Sequence, residues 1–302
     1  MLQPPKLQIG DKAVILSPAG KIDGELVNKA ADLLRGWGIR VEISENALCE
    51  TGRFSGFVEQ RLSDLQSAMD DPDVKLIFCS RGGYGTVHLL GKLDFTSIKQ
   101  NPKWVIGYSD ITVLHAALQS NGIMSIHGPM AKHFAEEGAA DISVRFTKAI
   151  VAGEPIIYEI PVTSHAYLNR KGKALGKLFG GNLSVFCGIL GTKFAKIPRR
   201  GVLFIEDIGE DPYKIDRYIN QLKLAGVFDR ISGLIVGQFS DYTEDNNMYS
   251  ALYESIAQTV SEYDFPVCFD FPVGHVKHNF PLVMGKTARL AVKENQIIFK
   301  QF

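Results

Sequence analysis

One serine of the sequence sits where a hydroxyl could act as a nucleophile. Ser109 follows a short apolar run at residues 104–106 and precedes apolar residues at helical spacing. A strand that turns sharply into a helix, with a serine at the corner, is the geometry of a nucleophile elbow. The helix N-terminus would favour negative charge there. Asp110 and Ile111 follow the serine where G-x-S-x-G has its second glycine. In the alternative, Ser109 or Asp110 is only the N-cap of the helix, which is the commoner role.

A glycine-rich segment, RGGYG at residues 81–85, follows a second strand-like run. Its three glycines would let the backbone approach a ligand closely and turn N–H groups toward an anion. The N–H groups of Gly83 and Asp110 could therefore supply the two halves of an oxyanion hole. The alternatives are a tight turn or a phosphate loop, although the segment matches neither a P-loop nor G-x-G-x-x-G.

The cysteines offer a rival nucleophile. The four cysteines, at positions 49, 79, 187 and 268, show no C-x-x-C spacing and are typical of reduced thiols in a cytoplasmic protein. Cys79 ends an apolar run just before the glycine-rich segment, so it could act in an acyl transferase or a glutaminase-like enzyme. The commoner role for such a cysteine is that of a small buried hydrophobic residue.

Two residues of the second half could complete a catalytic triad. Glu206 ends the apolar run VLFIE, where a carboxylate can face a cleft, and His275 follows Pro-Val-Gly in a loop. Ser109, His275 and Glu206 would then act as nucleophile, base and orienting carboxylate. The seven histidines leave other sets open. One of these sets has His127 as the base, and a packed, hydrogen-bonded histidine is the alternative for that residue.

The composition argues against several classes of function. Lys plus Arg equals Asp plus Glu, at 33 each, so bulk charge does not indicate nucleic acid or an anionic membrane. No apolar run approaches the ~18 residues of a membrane span, and the first residues lack the apolar core of a signal peptide. A cytoplasmic protein is therefore expected. His275 and His278 form H-x-x-H, but no cysteine or acid nearby completes a metal pattern, so zinc is not expected.

Strand-like and helical segments alternate through the first half of the chain. The strand-like runs lie at residues 13–17, 40–44, 74–80 and 104–106, and the helical patterns lie at residues 23–38, 57–70, 84–93 and 111–120. This alternation predicts an α/β fold with βαβ units and a mainly parallel sheet. Ligands of such sheets bind at the carboxyl ends of the strands, and Ser109 lies just beyond one of these ends.

The length of 302 residues predicts about two domains. We expect an N-terminal α/β domain at residues 1–150, which carries the serine. A linker is expected at residues 151–170, where the periodicity weakens and glycine and proline recur. Residues 171–302 would form a C-terminal α/β domain that carries the carboxylate and the imidazole. This domain is more mixed, and it closes with a predicted hairpin about residues 294–295.

Together, these motifs resemble the LD-carboxypeptidases, serine peptidases that trim murein tetrapeptides and have the microcin C self-immunity peptidases as a related branch. Each motif is weak alone, but the set is specific, follows the family order and spans most of the chain. The matching segments are SPAG at 17–20, DDPDVKLIFCSRGGYG at 70–85, IGYSD at 106–110, HGPM at 127–130, GKLFGGNLS at 176–184, GT at 191–192, FIEDIGEDPYKIDR at 204–217 and PVGHVKHN at 272–279.

The resemblance implies a nucleophile at Ser109, a base at His275 and a carboxylate at Glu206. It also implies backbone oxyanion donors at Gly83 and Asp110. The fold that it implies has an N-terminal flavodoxin-like or glutaminase-like domain with a mainly parallel sheet and a C-terminal swivelling mixed α/β domain. A homodimer is expected, and no metal or organic cofactor is expected.

The implied activity is hydrolysis of an L,D-peptide bond, with release of the terminal D-alanine from murein tetrapeptide in cell-wall recycling. The partner is therefore a small peptide. The microcin branch shares the same residues, so a microcin C-like self-immunity peptidase is the alternative. A non-catalytic α/β domain that binds an anion at RGGYG is another. The free carboxylate of the substrate must be recognised, and Arg81 is a candidate by its position, with a structural salt bridge as its other predicted role.

Overall fold

The computed structural model describes residues 1–302 as two compact units. Unit 1 contains Met1–Glu154 and Phe280–Gly285, and unit 2 contains Pro155–Asn279 and Lys286–Phe302. The chain thus returns to unit 1 for a short segment before it completes unit 2.

Thirteen strands form two sheets: β1 (Lys12–Leu16), β2 (Arg40–Ile43), β3 (Val74–Cys79), β4 (Trp104–Gly107), β5 (Ser125–His127), β6 (Ile156–Pro161), β7 (Gly172–Asn182), β8 (Gly201–Ile208), β9 (Ile231–Ser240), β10 (Val267–Cys268), β11 (Leu282–Met284), β12 (Thr287–Val292) and β13 (Gln296–Gln301).

The α-helices are α1 (Gly24–Arg35), α2 (Val58–Asp70), α3 (Thr96–Gln100), α4 (Thr112–Ser120), α5 (Ala131–Glu137), α6 (Ile142–Val151), α7 (Leu183–Cys187), α8 (Pro212–Leu224) and α9 (Leu252–Thr259). None of them combines the length and the apolar character that crossing a membrane requires.

Unit 1 is built on the predicted, mainly parallel sheet. Its strand order is β11-β5-β4-β3-β1-β2, and every pair is parallel except the edge pair β11–β5. Strands β3 and β4 are almost entirely buried and apolar, as expected for parallel strands that are covered on both faces. The carboxyl end of β4 leads directly to the predicted nucleophile, so the sheet positions the serine as the sequence indicates.

Unit 2 has the mixed sheet that the sequence indicates. Its strand order is β10-β9-β8-β7-β12-β13-β6. The first four strands are parallel to one another, and the pairs β7–β12, β12–β13 and β13–β6 are antiparallel. The predicted C-terminal hairpin is confirmed as β12–β13. The α/β class is therefore confirmed, with a mainly parallel sheet in one unit and a mixed sheet in the other.

The structure departs from the predicted domain boundaries in two places. The predicted linker at residues 151–170 contains β6, which pairs with β13 at the edge of the unit 2 sheet. Its buried and exposed residues alternate, so it is a half-buried strand. Residues 280–285, predicted to belong to the C-terminal domain, supply β11 to the unit 1 sheet.

The prediction of a helix over residues 84–93 is wrong. A short 3₁₀ turn, Thr86–His88, follows the glycine-rich segment instead. Gly83 and Gly85 have φ angles of 112° and 128°, a region that glycine adopts far more readily than other residues. The backbone therefore folds as a loop at the carboxyl end of β3 and does not enter a helix.

A buried cation joins the end of α2 to the start of β4. The Lys103 side chain is fully buried, and its Nζ donates to the carbonyl oxygens of Ala68 at 3.1 Å and Asp71 at 2.5 Å. A positive charge is favourable at the C-terminus of a helix. Burial nevertheless lowers the pKa of Lys103 to about 8.

This lowered pKa makes the stability dependent on pH. The ordinary pKa of lysine is 10.5, so the unfolded chain binds more protons than the folded chain between pH 8 and 10.5. The free energy of unfolding should therefore rise by on the order of 2 kcal/mol from pH 8 to pH 10, relative to Lys103→Met. Urea unfolding at several pH values measures this difference. The exposed Lys99→Met variant is the control, and parallel curves for wild type and Lys103→Met would contradict the prediction.

Candidate active site

Ser109 occupies a strained corner between strand and helix. Strand β4 ends at Gly107, Tyr108 is extended, and Ser109 opens a 3₁₀ turn that leads into α4. The φ angle of Ser109 is +64°, in the left-handed region that residues other than glycine rarely adopt. Such strain persists only where surrounding contacts enforce it, and it is frequent at functional sites. The corner has the geometry of a nucleophile elbow.

The alternative role of Ser109 or Asp110 as an N-cap is wrong. Helix α4 has Ile111 at its N-cap position, and no side chain caps either α4 or the preceding 3₁₀ turn. The Asp110 carboxylate instead accepts a hydrogen bond from the Thr86 N–H at 2.8 Å. Asp110 therefore fastens the end of the glycine-rich loop to the serine corner.

The glycine-rich loop lies directly against the serine. A Cβ atom at Gly82 would lie 2.8 Å from the Ser109 Cβ and 3.0 Å from its Oγ. The same atom would lie 3.4 Å from the Asp110 nitrogen. The Gly82 carbonyl accepts a hydrogen bond from the Gly20 N–H at 3.1 Å, so the SPAG segment at residues 17–20 helps to hold the loop in place. Only a glycine at position 82 permits this approach.

The two predicted oxyanion donors lie on these touching segments. Gly83 follows Gly82 in the loop, and Asp110 follows Ser109 in the 3₁₀ turn. The hydrogen bonds of that turn run from the Ile111 N–H to the Tyr108 carbonyl, at 3.3 Å, and from the Thr112 N–H to the Ser109 carbonyl, so the Asp110 N–H precedes the bonded part of the helix. The assignment of the Gly83 and Asp110 N–H groups as oxyanion donors stays a prediction.

Arg61 supports the same loop, although no local sequence pattern reveals this role. Its side chain is almost fully buried, and Nη1 donates to the carbonyl oxygens of Pro18 at 2.8 Å and Gly85 at 2.9 Å. Burial lowers the pKa of the Arg61 guanidinium, and the charge of Asp110 opposes this effect. Burial likewise raises the pKa of Asp110, opposed by the Thr86 N–H and by Arg61. The positive charge of Arg61 and the negative charge of Asp110 therefore stabilise each other.

His115, on α4, holds the serine corner in place, and no local sequence pattern predicts this role. The ring is fully buried between Gly107, whose carbonyl lies 2.8 Å from Nε2, and Ser125, whose hydroxyl lies 2.8 Å from Nδ1. Because a carbonyl only accepts, Nε2 carries the proton. Burial lowers the pKa of His115 to about 4, so the ring is neutral near pH 7 and ties α4 back to β4.

The alternative catalytic groups of unit 1 are buried. His127 is fully buried on β5, with its ring centroid 5.9 Å from that of Tyr108 and 6.3 Å from that of His115. Cys79 is fully buried at the end of β3, and burial raises the pKa of its thiol to about 12. A thiol with that pKa forms almost no thiolate near pH 7. The structure therefore favours the buried, apolar role for Cys79.

Glu206 and His275 meet in unit 2, as the sequence predicts. Glu206 lies near the end of β8 and is fully buried, and its Oε2 lies 2.8 Å from Nδ1 of His275. A carboxylate acceptor holds the proton on Nδ1 and leaves Nε2 as the basic nitrogen. The pair therefore has the arrangement of a general base and its orienting carboxylate.

The loop that carries His275, residues 271–279, has few conformational alternatives. Gly274 has a φ angle of 131°, and a Cβ atom there would lie 3.1 Å from both Cβ and Oε2 of Glu206. The Gly274 N–H donates to Oδ1 of the buried Asn279 at 3.0 Å. The Gln238 N–H donates to the Val273 carbonyl at 2.9 Å, which anchors the loop to β9.

The electrostatics of the pair favour the protonated imidazole. Burial alone lowers the pKa of His275, but the neighbouring Glu206 carboxylate, with Asp207 and Asp241, more than offsets it, and the pKa is raised. A positive charge on the His275 imidazole is therefore stabilised by these carboxylates. Asp207 itself has another task, because its oxygens accept from Nδ2 of Asn182 and from the Ser184 N–H, each at 2.8 Å.

The structure thus defines two groups of predicted site residues. Ser109, Gly83 and Asp110 belong to unit 1, where the serine corner contacts the glycine-rich loop. Glu206 and His275 belong to unit 2, where they share a hydrogen bond. Nowhere in residues 1–302 do three His, Cys, Asp or Glu side chains converge as ligands of a metal ion.

Serine hydrolases use a serine at such a strand–helix corner and a histidine that is hydrogen-bonded to a carboxylate. Unit 1 contains the first feature and unit 2 contains the second. Comparison with known proteins specifies the class. Residues 14–128 match the model of the LD-carboxypeptidase N-terminal domain, and residues 175–290 match that of the LD-carboxypeptidase C-terminal domain. The chain belongs to the LD-carboxypeptidase family and is a serine-type peptidase.

Relatives cover nearly the whole chain. A protein of Synechocystis sp. is 35% identical over 292 residues, which span 96% of this chain and 94% of the relative. A probable murein peptide carboxypeptidase of Bacillus subtilis is 32% identical over 308 residues, which span 99% of this chain and 94% of the relative.

Solved structures share the fold. The muramoyltetrapeptide carboxypeptidase of Oxalobacter formigenes is 28% identical, with a TM-score of 0.87, over 96% of this chain and 98% of that one. The microcin C7 self-immunity protein MccF aligns with a TM-score of 0.89 over 100% of this chain and 99% of that one. At 22% identity, the likeness to MccF shows the fold alone.

Gly82→Ala should disable the serine without unfolding the protein. The added methyl group would displace Ser109 or the loop, and a displacement of about 1 Å near the reacting atoms can reduce the rate ~10²-fold. The measurement is the rate at which a fluorophosphonate labels Ser109, together with a thermal unfolding curve. Gly91→Ala is the matched control, since nothing lies within 4 Å of a Cβ atom there. An unchanged labelling rate in Gly82→Ala would show that the reactivity of Ser109 does not depend on the close approach of Gly82.

Glu206→Gln should lower the pKa of His275. The substitution removes the nearest negative charge, while burial continues to disfavour the imidazolium. The acidic limb of the pH–rate profile should shift to lower pH, and the plateau should fall at least ~10²-fold. NMR titration of His275, assigned by the loss of its signal in His275→Gln, measures the pKa directly. Glu210→Gln is the control for a nearby acid, and an unshifted titration in Glu206→Gln would refute the coupling.

Proposed function

We propose that this protein is an LD-carboxypeptidase that removes the terminal D-alanine from murein tetrapeptide. The observation that carries the catalytic part is the 2.8 Å hydrogen bond between Glu206 and His275, two residues that the sequence places 69 positions apart. The substrate part is supported by the family and by relatives named as carboxypeptidases of murein peptides.

The first chemical step would be attack by Ser109. His275 removes the hydroxyl proton through Nε2, since its Nδ1 faces the Glu206 carboxylate. The Ser109 oxygen then attacks the carbonyl carbon of the terminal peptide bond. Glu206 holds the imidazole in this tautomer and stabilises the imidazolium that forms. This step requires His275 of unit 2 to reach Ser109 of unit 1 in the substrate complex.

The negative charge of the tetrahedral intermediate would be stabilised by the N–H groups of Gly83 and Asp110. Both belong to segments that the Asp110–Thr86 and Arg61–Gly85 hydrogen bonds hold in place. Preorganised donors of this kind each contribute about 10²- to 10³-fold to the rate. The same role explains why the loop must approach the serine as closely as Gly82 allows.

Collapse of the intermediate would release the amino group of the terminal D-alanine. The imidazolium of His275 donates its proton to this leaving nitrogen, and Ser109 remains acylated by the shortened peptide. A water molecule, deprotonated by His275, then attacks the acyl-enzyme and restores the hydroxyl. Every proton is handled by the one imidazole, and no step in this scheme requires a cofactor.

The proposal extends to the cellular setting. We propose that the protein acts as a cytoplasmic homodimer in the recycling of cell-wall peptides, with a small peptide as its substrate and with no nucleic acid or membrane partner. The family resemblance and the balanced charge of the chain support this part of the proposal. A microcin-type activity has weaker support, because the likeness to MccF shows the fold alone.

Ser109→Ala should abolish the release of D-alanine. We expect wild type to convert purified murein tetrapeptide to tripeptide and free D-alanine, and Ser109→Ala and His275→Gln to lose at least ~10³-fold in rate. Mass spectrometry of the peptide and an enzymatic assay of D-alanine measure both products. The control variant is Ser67→Ala, an exposed serine on α2.

Two substrates separate the alternatives. A tetrapeptide that ends in L-alanine should not be cleaved if the enzyme is specific for the L,D-bond. Aspartyl sulfamoyl adenosine, which is bound by MccF in a solved structure, tests the microcin-type activity. Cleavage of this compound alone would replace the murein proposal, and full activity of Ser109→Ala on the tetrapeptide would falsify the mechanism.

A further inference from the structure

A cavity of about 480 Å³ opens in unit 1 next to the glycine-rich loop. Its lining includes three cationic side chains, Lys21, Arg81 and Lys132, and two acidic ones, Asp23 and Glu50. These side chains give the cavity a net positive charge of one, and Ile22, Leu26 and Leu48 supply apolar lining beside them. Nothing in the mechanism above uses it.

The acidic side chains of the cavity already have partners. Glu50 forms an ion pair with Lys21, with 2.8 Å between Oε2 and Nζ. Asp23 is the N-cap of α1 and accepts a hydrogen bond from the Glu25 N–H at 2.8 Å. Neither carboxylate forms an ion pair with Arg81.

Arg81 carries the unpaired charge of the cavity. Its guanidinium donates one hydrogen bond, from Nη1 to the Lys21 carbonyl at 3.1 Å, and it has no acidic side chain within ion-pair distance. The structural salt bridge predicted for Arg81 is therefore wrong. Its remaining N–H groups are suited to a planar, two-oxygen acceptor such as a carboxylate.

The position of Arg81 relative to the nucleophile fits this role. Arg81 directly precedes Gly82, so their Cα atoms are about 3.8 Å apart. A Cβ atom at Gly82 would lie 3.0 Å from the Ser109 Oγ. The Arg81 Cα is therefore at most about 8 Å from that hydroxyl. A carboxypeptidase substrate has its free carboxylate one residue beyond the attacked carbonyl, within the reach of an arginine side chain anchored there.

We propose that this cavity is the subsite for the free α-carboxylate of the C-terminal residue of the substrate, and that Arg81 binds this carboxylate with two parallel hydrogen bonds. The inference rests on the proposed carboxypeptidase activity and adds the group that makes the enzyme an exopeptidase. Lys132, on the rim, contributes longer-range attraction, since its pairing with Glu136 is loose at 3.7 Å.

The subsite is tested by comparing wild type and Arg81→Met on two substrates. The substrates are murein tetrapeptide with a free terminal carboxylate and the same peptide with a terminal carboxamide, and the readout is kcat/KM. We expect wild type to prefer the free carboxylate by about 10²-fold, as is found when a charged hydrogen-bonded partner is lost. Arg81→Met should lose about 10²-fold on the acid, lose little on the amide, and so lose the preference.

Two further variants make the outcome decisive. Arg81→Lys keeps the charge but not the planar fork, so it should retain part of the preference. Arg53→Met removes an exposed arginine with the same change in net charge, and it should keep the full preference. A thermal unfolding curve for each variant shows that it is folded.

The experiment gives different results if the Arg81 subsite is wrong and if the proposed carboxypeptidase activity is wrong. If wild type cleaves the tetrapeptide and Arg81→Met and Arg81→Lys keep the wild-type preference, the carboxylate binds elsewhere and the subsite is refuted. If wild type cleaves neither peptide, the carboxypeptidase activity and the subsite fall together. An equal loss on both substrates would show that Arg81 only maintains the loop, and would also overturn the proposal.

Discussion

The contact between the backbone at Gly82 and the side chain of Ser109 is the constraint on which unit 1 depends. A methyl group at position 82 would overlap the serine, so the loop can approach only because a hydrogen atom stands there. The neighbouring polar groups act to keep that approach fixed. Gly20 holds the loop through its N–H, Arg61 binds the Gly85 carbonyl, and Asp110 receives the Thr86 N–H. The left-handed φ of Ser109 persists because these contacts enforce it.

Both units place ionisable groups in apolar surroundings and supply partners for them. An unpaired buried charge is strongly destabilising, so each of these groups needs hydrogen bonds or an opposite charge. Arg61 binds two carbonyl oxygens, and Glu206 accepts from His275. These partners hold each ionised side chain in a single orientation within its unit.

The sequence predicts the elements of the site better than the contacts that support them. Ser109 was found because an apolar strand and a helical pattern meet at one residue, and both patterns are local. Arg61 and His115 were missed because their burial depends on carbonyl oxygens that only the fold brings near. The Pro18 carbonyl that binds Arg61 is 43 positions away. Strand β11 was missed because three residues carry too little periodicity to reveal a strand.

The return of the chain to unit 1 at Phe280–Gly285 affects the order in which the protein can fold during synthesis. The N-terminal 154 residues contain five of the six strands of their sheet, but the edge strand β11 is encoded after the His275 loop. Strand β5 therefore leaves the ribosome with an open edge, and open edges are prone to pair with other chains. The edge is covered only when residue 284 has emerged, by which time Ser109, Glu206 and His275 have all been synthesised. Completion of the first sheet and synthesis of the last predicted catalytic residue thus both fall in one late part of the chain.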